Sequence, residues 1–364
     1  MKHNWEYKPF DKILKIITPT SKIEKSEYKS IGQYPIISQE DVFISGFWDN
    51  EDDITPHSTP VVIFGDHSRV LKYIDFDFVV GADGVKIIQP IALLNAKFLY
   101  HFLRWYKVPS LGYSRHFKLL KETNYPVPGM EVQERIVAEL DQINDLIAKS
   151  RELLSQLDAL TKSLFYDTFG DPVSNPKGWK IKTIKEISTV LGGSTPKTGI
   201  EEYWNGDLLW ITPAELRGIK YIYDTERHIT ELGRESAGLQ IMPINTVLLT
   251  SRAPIGKVAI AKAPMYCNQG FKNLICDSQQ VHFQYVYSFL SLITDILNEK
   301  GTGATFKEIS KKVTESISIP VPPLELQEEF ARKVEAIEAE KARVVAEIKE
   351  LQTLLDARMD FWFN

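Results

Sequence analysis

One stretch of this chain occurs twice, and that constrains the fold more than any other feature. YPVPGMEVQE (125–134) lies over IPVPPLELQE (319–328); Gln133 recurs as Gln327 and, without a gap, Phe169 falls on Phe363. Both copies have helical periodicity. In the first, spacings of four and three pick out Ile136, Leu140, Ile143, Ile147, Ser150, Leu154, Leu157, Thr161 and Leu164. The second gives Phe330, Val334, Ile337, Lys341, Val344, Ile348, Leu351, Leu355 and Arg358. This alternation is the seam of a coiled coil. Neither stretch holds Pro or Gly between its Q-E start and its aromatic end, so each predicts an unbroken helix of roughly 35 residues, on the order of 50 Å. A helix that long with one apolar seam needs a partner, and each copy is the other's natural one, as an antiparallel pair.

The duplication extends to the flanking segments. In the first, NWEYKPFDKILKII (4–17) predicts a strand and a short helix, and YPIISQEDVFISGF (34–47) a strand, turn and strand. PVVIFG (60–65), DFDFVVGA (75–82) and VKIIQP (85–90) read as strands, and NAKFLYHFLRWY (95–106) as a helix. A glycine-bearing loop and short helix follow over 108–123. Trp5 then recurs as Trp179, YPIISQEDV (34–42) lies on LLWITPAEL (208–216), and PVVIFGDHSRVLKYI (60–74) on TVLLTSRAPIGKVAI (246–260). Gly84 matches Gly270, and GYSRHFK (112–118) matches GTGATFK (301–307). The offset grows along the chain, so loops lengthen while elements keep their order. The expected class is α+β, with two similar α/β globules separated by two long helices and related by a pseudo-two-fold. The expected parts are a globule over 1–124, a central helix over 125–170, a second globule over 171–318 and a C-terminal helix over 319–364.

Several function classes are disfavoured. No apolar run approaches the ~18 residues of a membrane helix, and MKHNWEYKPFDK does not read as a signal peptide; a cytoplasmic protein is expected. Cys267 and Cys276 are the only cysteines and have no Cys/His cluster around them, so no metal site is expected. There is no phosphate-binding G-x-x-x-x-G-K-[ST] loop, since Gly256-Lys257 sits in SRAPIGKV without the upstream glycine. The acidic-Pro-Pro-aromatic tetrad of amino-methyltransferases, H-E-x-x-H and G-x-S-x-G are also absent. No catalytic residue is assigned. The net charge of −5 argues against non-specific nucleic-acid binding by the whole surface and leaves room for a local basic loop.

Globule, helix, globule, helix, with P-V/L-P-x-x-E-x-Q-E opening each helix, resembles the specificity subunits of type I restriction–modification systems. In the second half the resemblance rests on GWKIKTIKEISTVLGGSTPKT, WITPAEL, SRAPIGKVAI, NQGF, GTGATFKEIS and ISIPVPPLELQEEFARKVEAIE. The first half departs, with ITPTSK for GGSTPK, GDHSRV for SRAPIG and ADGV for NQGF. The resemblance implies two target recognition domains, each reading one half of a bipartite DNA sequence. It also implies two modification subunits docked on the helices and binding S-adenosylmethionine, with restriction subunits using ATP and Mg. This chain would bind no cofactor itself. Because the two globules differ at their loops, the target should be asymmetric, and half-sites roughly one helical turn apart would face one side of the duplex.

The loops supply the candidate DNA contacts. In the second globule these are Ser194, Thr195 and Lys197, then Ser251, Arg252 and Lys257, then Asn268, Gln269, Lys272 and Asn273, and finally Thr302, Gly303, Thr305 and Lys307. The first globule offers His67, Ser68, Arg69 and Lys72, then Tyr113, Ser114, Arg115, His116 and Lys118. Arg, Lys, Asn and Gln suit guanine, adenine and phosphate. Each also has a structural reading: Asn268 and Gln269 as turn caps, Lys118 and Lys272 as solvated surface, Gly84 and Gly270 as backbone positions. Glu131, Gln133 and Glu134, like Glu325, Gln327 and Glu328, are either docking groups or acids and polar groups suited to a helix N-terminus. A protein-interaction scaffold, two binding domains on a coiled-coil strut, is the alternative function. Sequence preference and salt slope of duplex DNA binding separate the two.

Overall fold

The computed structural model describes residues 4–57, 60–82, 84–112, 114–252, 254–301 and 307–364. It divides into two compact units, Met1–Leu153 with Val344–Asn364 and Leu154–Arg343, so the division falls inside each long helix. The helices themselves are Met130–Phe169 and Leu324–Phe363. Each begins just before the expected Q-E start, directly after Gly129 or Pro323.

In the first unit a four-stranded sheet has the order Leu14–Ile17, Val85–Pro90, Val61–Gly65, Leu71–Ile74, antiparallel throughout. A three-stranded sheet pairs Tyr34–Ile37 with Gly46–Trp48 and, in parallel, with Val79–Val80. The expected strand over 75–82 shrinks to those two residues, and the run before it, Leu71–Ile74, is the strand instead. The reason is partner supply: 71–74 finds the whole of Val61–Phe64, whereas 79–80 finds only Ile36–Ile37. The opening segment also holds two strands rather than one, with a single helical turn Phe10–Ile13 between them.

The second unit repeats this plan. Its larger sheet runs Ser188–Gly192, Lys272–Cys276, Val247–Leu249, Val258–Ala261, with Tyr221–Ile222 added at the edge. Its smaller sheet is Arg227–Ile229, Trp204–Ile211, Tyr266–Cys267. In both units the first strand pairs antiparallel with the last one, Glu6–Pro9 with Asn124–Val127 and Lys180–Thr183 with Ser318–Val321. That pairing sets the start of each globule beside the start of the following long helix.

Each unit has one main core built from its globule and both long helices. In the first, Ile136, Leu140, Ile143 and Ile147 share a cluster with Leu355, Met359, Trp362 and Phe363. In the second, Phe165 and Phe169 meet Phe330 and Val334. The start of one helix therefore lies along the end of the other in each unit, which is an antiparallel arrangement. Across the ladder, Leu154, Leu157, Leu164, Ile337, Ile348 and Leu351 are half-buried, and Val344 is buried. Lys341, one of two charged steps in the ladder, is neutralised by Asp158 at 2.7 Å and Glu338 at 3.4 Å. Glu338 also takes Lys220 from the globule at 2.9 Å. The aromatic ends dock on the globules: Phe363 lies 5.5 Å from Phe98 and 5.7 Å from Phe102, and Phe169 lies 4.8 Å from Tyr285.

The repeated glutamine explains the repeated P-V/L-P-x-x-E-x-Q-E motif. Gln133 and Gln327 are both fully buried, at 0% exposure. Gln133 Oε1 accepts from Asn95 N at 2.8 Å, and its Nε2 donates to the carbonyls of Pro128 and Leu93 at 2.8 and 2.9 Å. Gln327 does the same with His282 N at 2.9 Å, Pro322 O at 2.8 Å and Gln280 O at 3.3 Å. Each side chain ties together two backbone segments through three main-chain groups, the turn before a globule helix and the prolines that lead into the long helix. Docking of partners through Gln133 or Gln327 is thereby excluded.

Candidate nucleic-acid interface

In the second unit three separate stretches converge at one end of the sheets. Gly193 carries no side chain because a Cβ there would lie 2.0 Å from Cys267 O. The close approach lets Ser194 N donate to Cys267 O at 3.1 Å and Thr195 Oγ1 donate to Gln269 Oε1 at 2.6 Å. Behind this loop stand two indoles, Trp204 donating to Lys197 O at 3.3 Å and Trp210 to Ser194 O at 3.1 Å. Ser251 N donates to Gly270 O at 2.8 Å, which brings the 251–252 stretch alongside the 268–272 stretch. Lys197, Arg252, Gln269 and Lys307 are exposed, and Ser194, Thr195, Lys257, Asn268 and Lys272 half-buried.

Arg227, on the smaller sheet, escaped the sequence reading. Its guanidinium lies 3.8 Å from the centroid of the Trp204 ring and 5.1 Å from that of Trp210. Stacking of this kind holds an exposed arginine flat while its N–H edges stay available. An Arg seventeen residues after Trp210 carries no local signal. Only the antiparallel pairing of Trp210 with Arg227 brings them together.

The equivalent junction of the first unit is built differently. Asp66 Oδ1 accepts from Phe117 N at 2.8 Å, and Asp66 O accepts from His116 N at 2.8 Å. Gln39 Oε1 accepts from His67 N at 3.2 Å. Gln39, Glu40, Asp41, His67, Ser68, Gly112 and Ser114 line a cleft of about 470 Å³. Arg69 sits at a left-handed φ of 63° and donates to Val108 O at 3.1 Å. Arg115 and Lys118 are exposed.

Four candidates are corrected by burial. Lys72 is 3% exposed, and its ammonium donates to the carbonyls of Ser38, Val42 and Phe43 at 2.9, 2.6 and 3.3 Å. It holds the 38–43 loop and is not a DNA contact; burial pushes its pKa down against the pull of Glu40 and Asp41. His116 is 1% exposed, its Nδ1 2.9 Å from Asp66 O and its Nε2 accepting from Leu111 N at 3.0 Å. Asn273, at 0% exposure, accepts from Leu249 N at 3.2 Å and donates toward Met242 and Cys267 sulfurs. Ser251 is also fully buried. Asn268 caps its own turn through Gly270 N at 2.9 Å, leaving its amide nitrogen as the group that can face a ligand. Tyr113, Thr302, Gly303 and Thr305 lie outside the described residues.

Among the described residues, no group of three or more His, Cys, Asp or Glu is placed to hold a metal, and no helix is long and apolar enough to cross a membrane. What the two units share is a module: sheets, a junction of loops at one end, and a long helix seated on a buried glutamine. A tandem pair of one α+β module, with differing loops on a matching frame, is the class this chain defines. The model of the type I restriction modification DNA specificity domain matches residues 2–159 and 176–351, so the chain belongs to the type I restriction–modification specificity-subunit family. It is 45% identical over 159 residues to the MjaIX specificity subunit of Methanocaldococcus jannaschii, a match covering 43% of this chain and 37% of that protein. It is 29% identical over 350 residues to the EcoR124I/EcoR124II specificity subunit of Escherichia coli, covering 89% of this chain and 84% of that one. The fold matches the S subunit from M. genitalium with a TM-score of 0.63 at 16% identity, over 98% of this chain and 96% of that one. A solved chain of a type I restriction–modification system, described for its complex assembly and conformational transition, gives 0.59 at 19% identity, over 99% and 97%.

Proposed function

We propose that this chain is the DNA-reading subunit of a type I restriction–modification complex, each unit recognising one half of a bipartite, asymmetric target. The observation that carries the reading is the duplicated loop junction with different chemistry in each copy. One presents Lys197, Arg227, Arg252 and Gln269; the other presents an acidic cleft lined by Glu40 and Asp41, with Arg69, Arg115 and Lys118 exposed on the same unit. A common frame with unlike side chains is what two unlike half-sites require. The domain boundaries near 124, 170 and 318 follow the same reading, with the first globule, central helix, second globule and C-terminal helix as its parts.

In this proposal the chain performs no chemistry. Two modification subunits dock on the helices and carry S-adenosylmethionine, restriction subunits supply ATP- and Mg-dependent translocation and cleavage, and the complex works in the cytoplasm. Exposed Leu146 and Leu153 on the first long helix, and Val345 and Leu354 on the second, lie off the seam in the first unit. They are the apolar positions on which a docked subunit would close. Genome-wide adenine methylation in the source cells, with the gene intact and deleted, tests the reading. Loss of methylation at one gapped, asymmetric motif is expected. An unchanged methylome in cells that methylate other motifs would overturn it.

A further inference from the structure

The second unit holds two cations and one acid where the first holds one of each. Asp66 and Arg252 occupy matching positions in the two copies, as do Lys86 and Lys272. In the first unit Lys86 lies 3.9 Å from the Asp66 carboxylate, whose side chain is 4% exposed, so that pair is one cation matched by one acid. In the second unit the carboxylate comes from elsewhere in the chain. Glu308 takes Arg252 Nε at 2.9 Å and Lys272 Nζ at 3.3 Å, and Lys272 also donates to Ser251 Oγ at 3.3 Å. Arg252 and Glu308 are further paired through a backbone bridge. Lys272 is 13% exposed and Glu308 34%, whereas Arg252 remains 48% exposed.

The atom that Glu308 grips is decisive. A carboxylate on Nε fixes the plane of a guanidinium and leaves its outer edge, Nη1 and Nη2, facing away from the acid. That edge matches the O6 and N7 acceptors of guanine in the major groove. Because Lys272 takes the other carboxylate oxygen and is itself sunk against Ser251, the acid cannot swing away without stranding a half-buried ammonium.

We propose that Glu308 is a positioning residue that locks Arg252 as the guanine reader of the second unit's half-site. This rests on the DNA-reading function proposed above and adds the residue pair and the base. A freely rotating arginine would bind phosphates as well as bases, so the acid trades affinity for discrimination. Removing its charge adds one net positive charge at the interface while releasing the guanidinium plane.

The test uses chromosomal Glu308→Gln and Arg252→Ala alleles in the source cells, reading every methylated adenine in the genome. Both variants are expected to relax the same single G position in the second unit's half-site. The preference for G over other bases there should fall at least about fivefold, the lower end of what a bidentate contact discriminates. The first unit's half-site should stay intact in both, which also reports a folded, assembled chain. Relaxation at different positions in the two variants, or an unchanged motif in Glu308→Gln, overturns the proposal. If Glu308→Gln abolishes methylation, Glu308→Asp decides: the original motif restored supports the pairing, and continued loss overturns it. If the wild-type gene itself controls no gapped motif, the underlying DNA-reading function fails, and that result is distinct from all the others.

Discussion

Replacing Gln327 with Ala should loosen the second unit selectively. The side chain is fully buried and makes three hydrogen bonds, to His282 N, Pro322 O and Gln280 O. Each is worth about 1 kcal/mol net, and the partners left behind are buried backbone groups, so the loss is about 3 kcal/mol. At ~1.4 kcal/mol per factor of ten, exchange through global opening of that unit should speed up on the order of a hundredfold. The assay is amide hydrogen exchange with mass spectrometry on the full chain, read at strands Val247–Leu249 and Lys272–Cys276 and, as an internal reference, at Val61–Gly65 and Val85–Pro90 of the first unit. Gln133→Ala should give the mirror result, with the first unit's strands accelerated and the second's unmoved. Gln327→Leu separates packing from hydrogen bonding, because it fills most of the volume while leaving the same groups unpaired; it should lose nearly as much as Ala. An acceleration below about tenfold, or one spread equally over both units, would refute the reasoning.

The Arg358 guanidinium and the Trp362 indole, both donating to Glu139, hold its carboxyl below the usual range despite partial burial. A lowered folded value stabilises above the unfolded pKa of about 4.3, and that contribution disappears as pH falls through the folded value. Glu139→Gln should therefore cost up to about 1 kcal/mol at neutral pH, with exposure limiting the effect, and nothing near pH 2; urea titrations at both pH values decide. Lys72→Met should destabilise the 38–43 loop by about 2 kcal/mol, seen as faster exchange there, without changing the salt slope of DNA binding. A slope reduced by about one would restore Lys72 as a phosphate contact. Burial pushes the Cys267 and Cys276 thiols up to about 12. Neither should react with a disulfide reagent at pH 7.5 in the folded chain, and both should react in denaturant; fast modification of Cys267 in the native protein would contradict the packing.

The acid partners of the loop cations show where sequence reading stops. Arg252 was visible as a candidate because it sits in a loop with a matching position in the other copy. Glu308 was not, because nothing within several residues of it distinguishes a pairing acid from solvated surface. Lys72 shows the opposite failure: a lysine beside a candidate loop reads as a contact, yet its partners lie thirty or so residues back at Ser38, Val42 and Phe43. The Q-E repeat is legible in the sequence, but its role is not, for the same reason. Gln327 acts on His282 and Gln280, more than forty residues upstream.

The amino-acid sequence by itself determined the duplication, the α+β class and the two seamed helices. Those features are written in spacing along the chain: apolar residues every three or four steps, and one motif repeated at a constant interval, both readable without knowing what touches what. Only the tertiary structure decided which polar side chains in the loops face outward. Lys72, His116, Ser251 and Asn273 turned inward, and Arg227 emerged on a tryptophan face. A polar group's role is set by whether a distant backbone atom or acid satisfies it once water is excluded, and that partner is chosen by the packing of sheets rather than by its neighbours in sequence.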